Sequence, residues 1–144
     1  MLIDKQLLFS DAQAVTADAA STNIVDLGVA SNLFDGEPMA VVLTVDVAAD
    51  MADTDETYEV EIQTDDNASF SSATELVAKT IAGAALSAGS QHIIPIPMGA
   101  AVERYLRVRY DVGGTTPSVT VTAFLQPVSM IQKYKSYADN ITIS

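Results

Sequence analysis

The chain contains no cysteine. That excludes disulfides, cysteine-ligated zinc, iron–sulfur clusters and a cysteine nucleophile, and it leaves the redox compartment open. Tryptophan is also missing, and only 6% of the residues are aromatic. A sugar-binding cleft, which usually stacks its ligand on aromatic rings, has little to work with. There is a single histidine, His92, in the strand-like run with Ile93 and Ile94. A general base needs a partner within hydrogen-bond reach, and with no G-x-S-x-G elbow to supply a serine, His92 reads as an ordinary edge-strand residue. The seven glycines fit neither G-x-G-x-x-G nor a phosphate loop. No window comes near the ~20 consecutive apolar residues that span a bilayer. The start, MLIDKQLLFSDAQ, has too short an apolar run for a secretion signal.

Positive charge is scarce as well. Seven Lys and Arg face nineteen Asp and Glu, for a formal net charge of −12. Such a chain repels free nucleic acid, whose binding depends on neutralising phosphates. It repels acidic membranes for the same reason, and it suits docking to a basic protein surface. Three of the seven cations, Arg104, Arg107 and Arg109, fall within one six-residue stretch, and Lys133 and Lys135 hold two more.

What is abundant is apolar and strand-forming. The 144 residues, 49% of them apolar, are enough for one domain with a real core. Arg104–Leu125 reads RYLRVRYDVGGTTPSVTVTAFL. Leu106, Val108, Tyr110 and Val112 alternate with Tyr105, Arg107, Arg109 and Asp111. Beyond Gly113-Gly114, the positions Val119, Val121, Ala123 and Leu125 alternate with Thr120, Thr122 and Phe124. Period two marks strands with one buried and one wet face. In Thr57–Thr64, Tyr58, Val60 and Ile62 point inward while Glu59, Glu61 and Gln63 point to water. In Met39–Val47, Val41, Leu43, Val45 and Val47 share a face and Val42 and Thr44 the other, which suits a central strand. Leu2–Phe9, short and of mixed polarity, and Asn23–Leu27 are further candidates, and Glu75–Ile81 and Gln91–Ile96 are weaker ones; Pro95 and Pro97 demote the last to an edge or a strand end. Asp11–Thr22 is expected to be an irregular surface arm, and Asn67–Lys79 a loop with room for one helical turn. About eight strands at even spacing predict an all-β antiparallel β-sandwich of jelly-roll type, a single domain over 1–144 with arms at 1–22 and 130–144.

Asp46, Asp50, Asp53, Asp55, Glu56, Glu59 and Glu61 offer carboxylate pairs, but glycosidases need a cleft between two such groups. Asp50–Glu56 and Asp65-Asp66-Asn67 offer oxygen ligands without the EF-hand spacing. The reading is no catalytic residue, no cofactor and no metal, with these acids as solvated faces. Tyr105, Arg107 and Arg109 form an interface candidate, since Arg and Tyr are favoured at protein contacts. The alternative is cross-strand pairing of the arginines with Glu59 or Glu61.

Two strings carry a resemblance: Phe9–Gly28, FSDAQAVTADAASTNIVDLG, and Arg104–Leu125. Together they resemble the cement, or head-decoration, proteins of tailed bacteriophages of the Bordetella-phage type. The resemblance implies a small jelly-roll on the outer surface of the virion, assembled in the bacterial host cytoplasm. It implies a structural protein without enzymatic activity that clamps neighbouring subunits of the major capsid protein. Its partners would be itself, as a homodimer or homotrimer, and that capsid protein, with no nucleic acid and no membrane. Contact positions are expected at Leu2, Ile3 and Leu7 near the start, at Tyr105, Arg107 and Arg109, and at Lys133, Tyr134, Lys135, Tyr137, Ile141 and Ile143 in the tail, because strand-forming ends can extend a neighbour's sheet. The alternative function is a carbohydrate-binding β-sandwich displayed on a virion or cell surface.

Overall fold

A computed structural model describes residues 7–28, 38–97 and 100–128. Nine strands follow in chain order: β1 (Leu8–Val15), β2 (Ala19–Ala20), β3 (Val25–Asp26), β4 (Met39–Val47), β5 (Thr57–Asp65), β6 (Thr74–Ile81), β7 (Gln91–Pro95), β8 (Tyr105–Gly113) and β9 (Val119–Pro127). One sheet has the order β1-β9-β4-β7. The other has the order β2-β8-β5-β6, with β3 also pairing β8. All pairings are antiparallel. Since β2 and β3 lie along the same strand as two short halves, the chain winds eight effective strands between two facing sheets, which is jelly-roll topology.

The inward residues are those that period two selects. Tyr58, Val60 and Ile62 from β5 meet Leu106, Val108 and Tyr110 from β8 in one core. Val41, Leu43 and Val45 from β4 and Val119, Val121, Ala123 and Leu125 from β9 close it from the other sheet. Burying each large aliphatic side chain contributes about 1.5–3 kcal/mol. β4 is central, between β9 and β7, and apolar on both faces; its reverse side holds Ala40 and Val42, which pack with Phe124 in a second cluster. The run of β7 is indeed an edge, ending at Pro95.

Three expectations change. Most of the expected strand Leu2–Phe9 lies outside the described residues; the first strand among them is Leu8–Val15, so half of the supposed arm Asp11–Thr22 is sheet, and Ala19–Ala20 adds β2. Register shifts between Leu8 and Ser10 and between Ser10 and Gln13 break the alternation, with Ala12 at φ 48°. A bulged strand loses its period-2 signature. What holds it is polar: the buried Ser10 hydroxyl meets the Tyr110 hydroxyl at 2.7 Å, and Gln13 Nε2 donates to the Ala20 carbonyl at 3.0 Å. Second, Val47 is 59% exposed rather than inward, because the β4–β9 register shifts between Val45 and Val47. Third, Phe124 is buried although it falls on the presumed wet face of β9. Within Asn67–Lys79, the loop gives way to β6 at Thr74 and Phe70 is a buried plug at φ 53°.

Loops at one end of the sandwich lock onto each other. Gly114 has φ +94°, and a Cβ there would lie 2.5 Å from the Asp55 carbonyl oxygen. The next residue, Thr115, donates its N–H and hydroxyl to the Asp55 carboxylate at 3.0 and 2.9 Å. Only glycine combines that φ with so close a backbone. Gly114→Ala is expected to destabilise the fold by about 2 kcal/mol or more, seen as a lower urea midpoint at unchanged slope. In the core, Ile62→Ala is expected to cost about 2–5 kcal/mol in the same measurement.

Candidate interface on the five-stranded sheet

The outward side chains of β5 and β8 meet in register. Glu59 lies opposite Asp111, Glu61 opposite Arg109, Gln63 opposite Arg107 and Asp65 opposite Tyr105. Most of these side chains are only half-buried, not fully solvated as period two suggests, because neighbours on adjacent strands shelter one another. They form one polar chain. Arg109 Nε donates to Asp111 at 3.0 Å, the Asp111 carboxylate comes within 4.8 Å of that of Glu61, Gln63 Nε2 donates to Glu61 at 3.2 Å, and Arg107 Nε donates to Gln63 Oε1 at 2.8 Å.

The cross-strand ion pairs expected between the arginines and Glu59 or Glu61 do not form. Arg109 turns along its own strand to Asp111, and Arg107 takes an uncharged amide. Arg104 pairs with Asp26 through two bonds of 2.9 and 3.0 Å, which holds the Asp26 carboxyl below its ordinary range. Acids therefore crowd together. Glu59, Glu61 and Asp111 bring carboxylate oxygens within 4.8 Å of one another, and Glu75 approaches from β6. Partial burial first, then Asp111 and Glu75, push Glu61 up to about 7.

A second convergence joins Asp65, Asp66 and Glu103. Asp65 is fully buried and already committed: its carboxylate accepts from the N–H groups of Ser72, Asp66 and Asn67 at 2.9, 2.7 and 3.3 Å, and these bonds hold it ionised. It is a loop clasp, closing 65–72 around Phe70. Among the described residues, the calcium-like loop Asp50–Glu56 forms no converged carboxylate group; Asp55 is spent on Thr115. His92 contacts the Ala85 carbonyl and the Ser90 hydroxyl at 3.0 and 3.2 Å and forms no ion pair among the described residues.

Of the expected contact residues, Tyr105, Arg107 and Arg109 share this face, with the Arg104 guanidinium 5.0 Å from the Tyr105 ring. Leu7 is half-buried against the main core. Leu2, Ile3, Lys133, Tyr134, Lys135, Tyr137, Ile141 and Ile143 lie outside the described residues. Sequence reading placed Gln63 on the wet face but missed its bond to Arg107, and it missed the buried Phe70 and Asp65 as supports of this surface. Their signal is the cross-strand register, which no local pattern shows.

Fold and surface together define a jelly-roll protein with a charged, networked sheet face. The family follows from comparison: the model of the Bbp16 family matches residues 9–125, and the chain belongs to this bacteriophage family. The matched span runs from the buried Phe9 of β1 to Leu125 of β9, so it takes in the whole sandwich. No curated protein matches the sequence.

The Glu61 cluster predicts a pH dependence. Its carboxyl binds a proton more tightly in the folded chain than at its ordinary value of 4.5. The folded state therefore holds the extra proton between pH 4.5 and about 7, and stability falls as pH rises through that window. The loss is expected to be about 1 kcal/mol, because solvent screens a partly exposed group. Melting curves at pH 5 and pH 8 measure it. Glu61→Gln, which keeps an acceptor for Gln63, is expected to flatten the profile and to exceed the parent in stability at pH 8.

Proposed function

We propose that this chain is a cement protein on the outside of a tailed-phage head, bridging subunits of the major capsid protein and stabilising the shell without catalysing a reaction. The observation that carries the reading is the family match over the entire sandwich, in a bacteriophage family. The physical character of the chain supports it. An acidic chain of net charge −12 avoids the packaged nucleic acid. The Tyr105, Arg107 and Arg109 face supplies residue types favoured at contacts. A single interface of standard size buries ~1,600 Å² in total. A clamp that touches more than one subunit, or that self-associates as a dimer or trimer, adds avidity to modest contacts.

The glycan-binding alternative loses its main feature. Tyr58 and Tyr110 are buried, so among the described tyrosines only Tyr105 stands on a wet face. One ring beside two arginines is not a stacking platform for a sugar chain.

The test uses heads assembled without this protein. Added chain is expected to co-sediment with them to saturation and to raise the temperature at which they release DNA. Deletion of Gln132–Ser144 is expected to weaken that binding by about a hundredfold, the scale of lost avidity, with the melting temperature of the free protein as the control for folding. Full-length protein that stays in the supernatant at all concentrations would refute the cement reading. Unchanged binding by the truncated chain would refute the role of the tail.

A further inference from the structure

We propose that Arg107 is a preorganised anchor for a carboxylate side chain of the partner protein, and that Arg104 and Arg109 beside it are not. The inference deepens the reading of this face as an interface by naming which residue binds and what chemistry it takes.

The three arginines differ in what they already hold. Arg104 is ion-paired with both oxygens of Asp26, and Arg109 is ion-paired through its Nε with one oxygen of Asp111. Arg107 has no ion-pair partner among the described residues. Its Nε donates to Gln63, and its guanidinium carbon lies 4.4 Å from the centre of the Phe70 ring. Neither partner is loose. Gln63 is held from its other end by Glu61, and Phe70 is buried, with its N–H donating to the Asn67 carbonyl at 2.9 Å. The side chain is thus fixed in one pose, and its terminal Nη donors have no acceptor among the described residues.

The charges around it do not neutralise it. Asp65 is the nearby acid, but its oxygens are engaged by backbone N–H groups of its own loop. Arg109 on the same strand repels it, Glu61 accepts from Gln63, and Glu75 lies opposite Gln63 across the β5–β6 pair. A half-buried cation with free donors gains most from one added acceptor that carries a negative charge. The planar guanidinium fork matches a carboxylate. The ordering cost of binding is reduced, since stacking and the Gln63 bond already fix the rotamer. A polyphosphate would bring many charges against a chain of net charge −12; a single Asp or Glu brings one.

The test compares Arg107→Ala, Arg107→Lys and Arg109→Ala on heads lacking this protein. Arg107→Ala is expected to weaken binding by about thirtyfold, the scale of an interface hot spot. Arg107→Lys should lose nearly as much, because it keeps the charge but not the fork. Arg109→Ala should stay within about threefold. Binding by Arg107→Lys at the level of the parent, or equal losses at Arg107 and Arg109, overturns the proposal. A second measurement needs no heads. Sodium acetate is titrated into the free protein while the arginine Nε–H resonances are followed, with sodium chloride as the control. The Arg107 resonance alone is expected to move. A silent Arg107, or three arginines moving alike, also overturns the anchor. If no version of the protein binds heads, the cement reading fails while the acetate titration still decides the anchor.

Discussion

Nine residue pairs tie β5 to β8, from Thr57 opposite Gly113 to Asp65 opposite Tyr105, and most of what distinguishes this molecule hangs on that register. A slip of one residue would turn Ile62 and Val108 to solvent and bring Glu61 and Arg109 into the core. The hydrophobic effect forbids it, because several large aliphatic side chains would lose their burial together. The same register that builds the core therefore dictates the outer face. Glu59 meets Asp111 and Gln63 meets Arg107 not because those pairs attract, but because their inward neighbours must pack. The acid crowding around Glu61 is a consequence of core packing rather than a device selected on its own terms by local charge.

The remaining elements are secured to that pair by polar contacts of a different kind. Tyr110 projects from β8 into the core and reaches the Ser10 hydroxyl on β1, which joins the two sheets through a buried bond; burial pushes the Tyr110 phenol far up. Asp65 ends β5 and gathers the N–H groups of its following loop. Asp55 takes the N–H and hydroxyl of Thr115 across the opposite end. In the last two cases a fixed carboxylate satisfies backbone donors that a loop would otherwise leave to water. These clasps tie the loops to the sheets, and surfaces already ordered before docking avoid much of the entropic cost of binding.

Membership of a bacteriophage family fits a molecule of this design. Jelly-roll sandwiches present broad sheet faces and strand edges rather than deep clefts, so area is available for protein contacts. Here the two sheets differ outwardly. The four-stranded one is partly apolar on its reverse side, around Val42 and Phe124, whereas the five-stranded one carries the charged network. Among the arginines of that network, the internal pairing of Arg104 and Arg109 leaves Arg107 as the one with no ion-pair partner among the described residues. Composition alone makes the three look equivalent.

Much of the sandwich was legible from residue order. Alternation in Tyr105–Val112, Thr57–Thr64 and Met39–Val47 specified inward and outward faces because the side-chain period of a strand is two and the core is apolar. Proline at 95 placed β7 at an edge for want of an N–H. Residue types marked Tyr105, Arg107 and Arg109 as contact material. Tertiary structure alone decided the rest. It made Leu8–Val15 a strand, since bulges scramble its pattern and only Tyr110 and β9 reveal its place. It turned Val47 out and Phe124 in, through a register shift and a second cluster. It chose the partners of Arg107 and Arg104, because Gln63 and Asp26, some forty to eighty residues away, meet them only once the sheets have formed. Periodicity is a local property, and sequence records it directly; pairing is a property of distant chain segments, and only the packed sheets bring it into being.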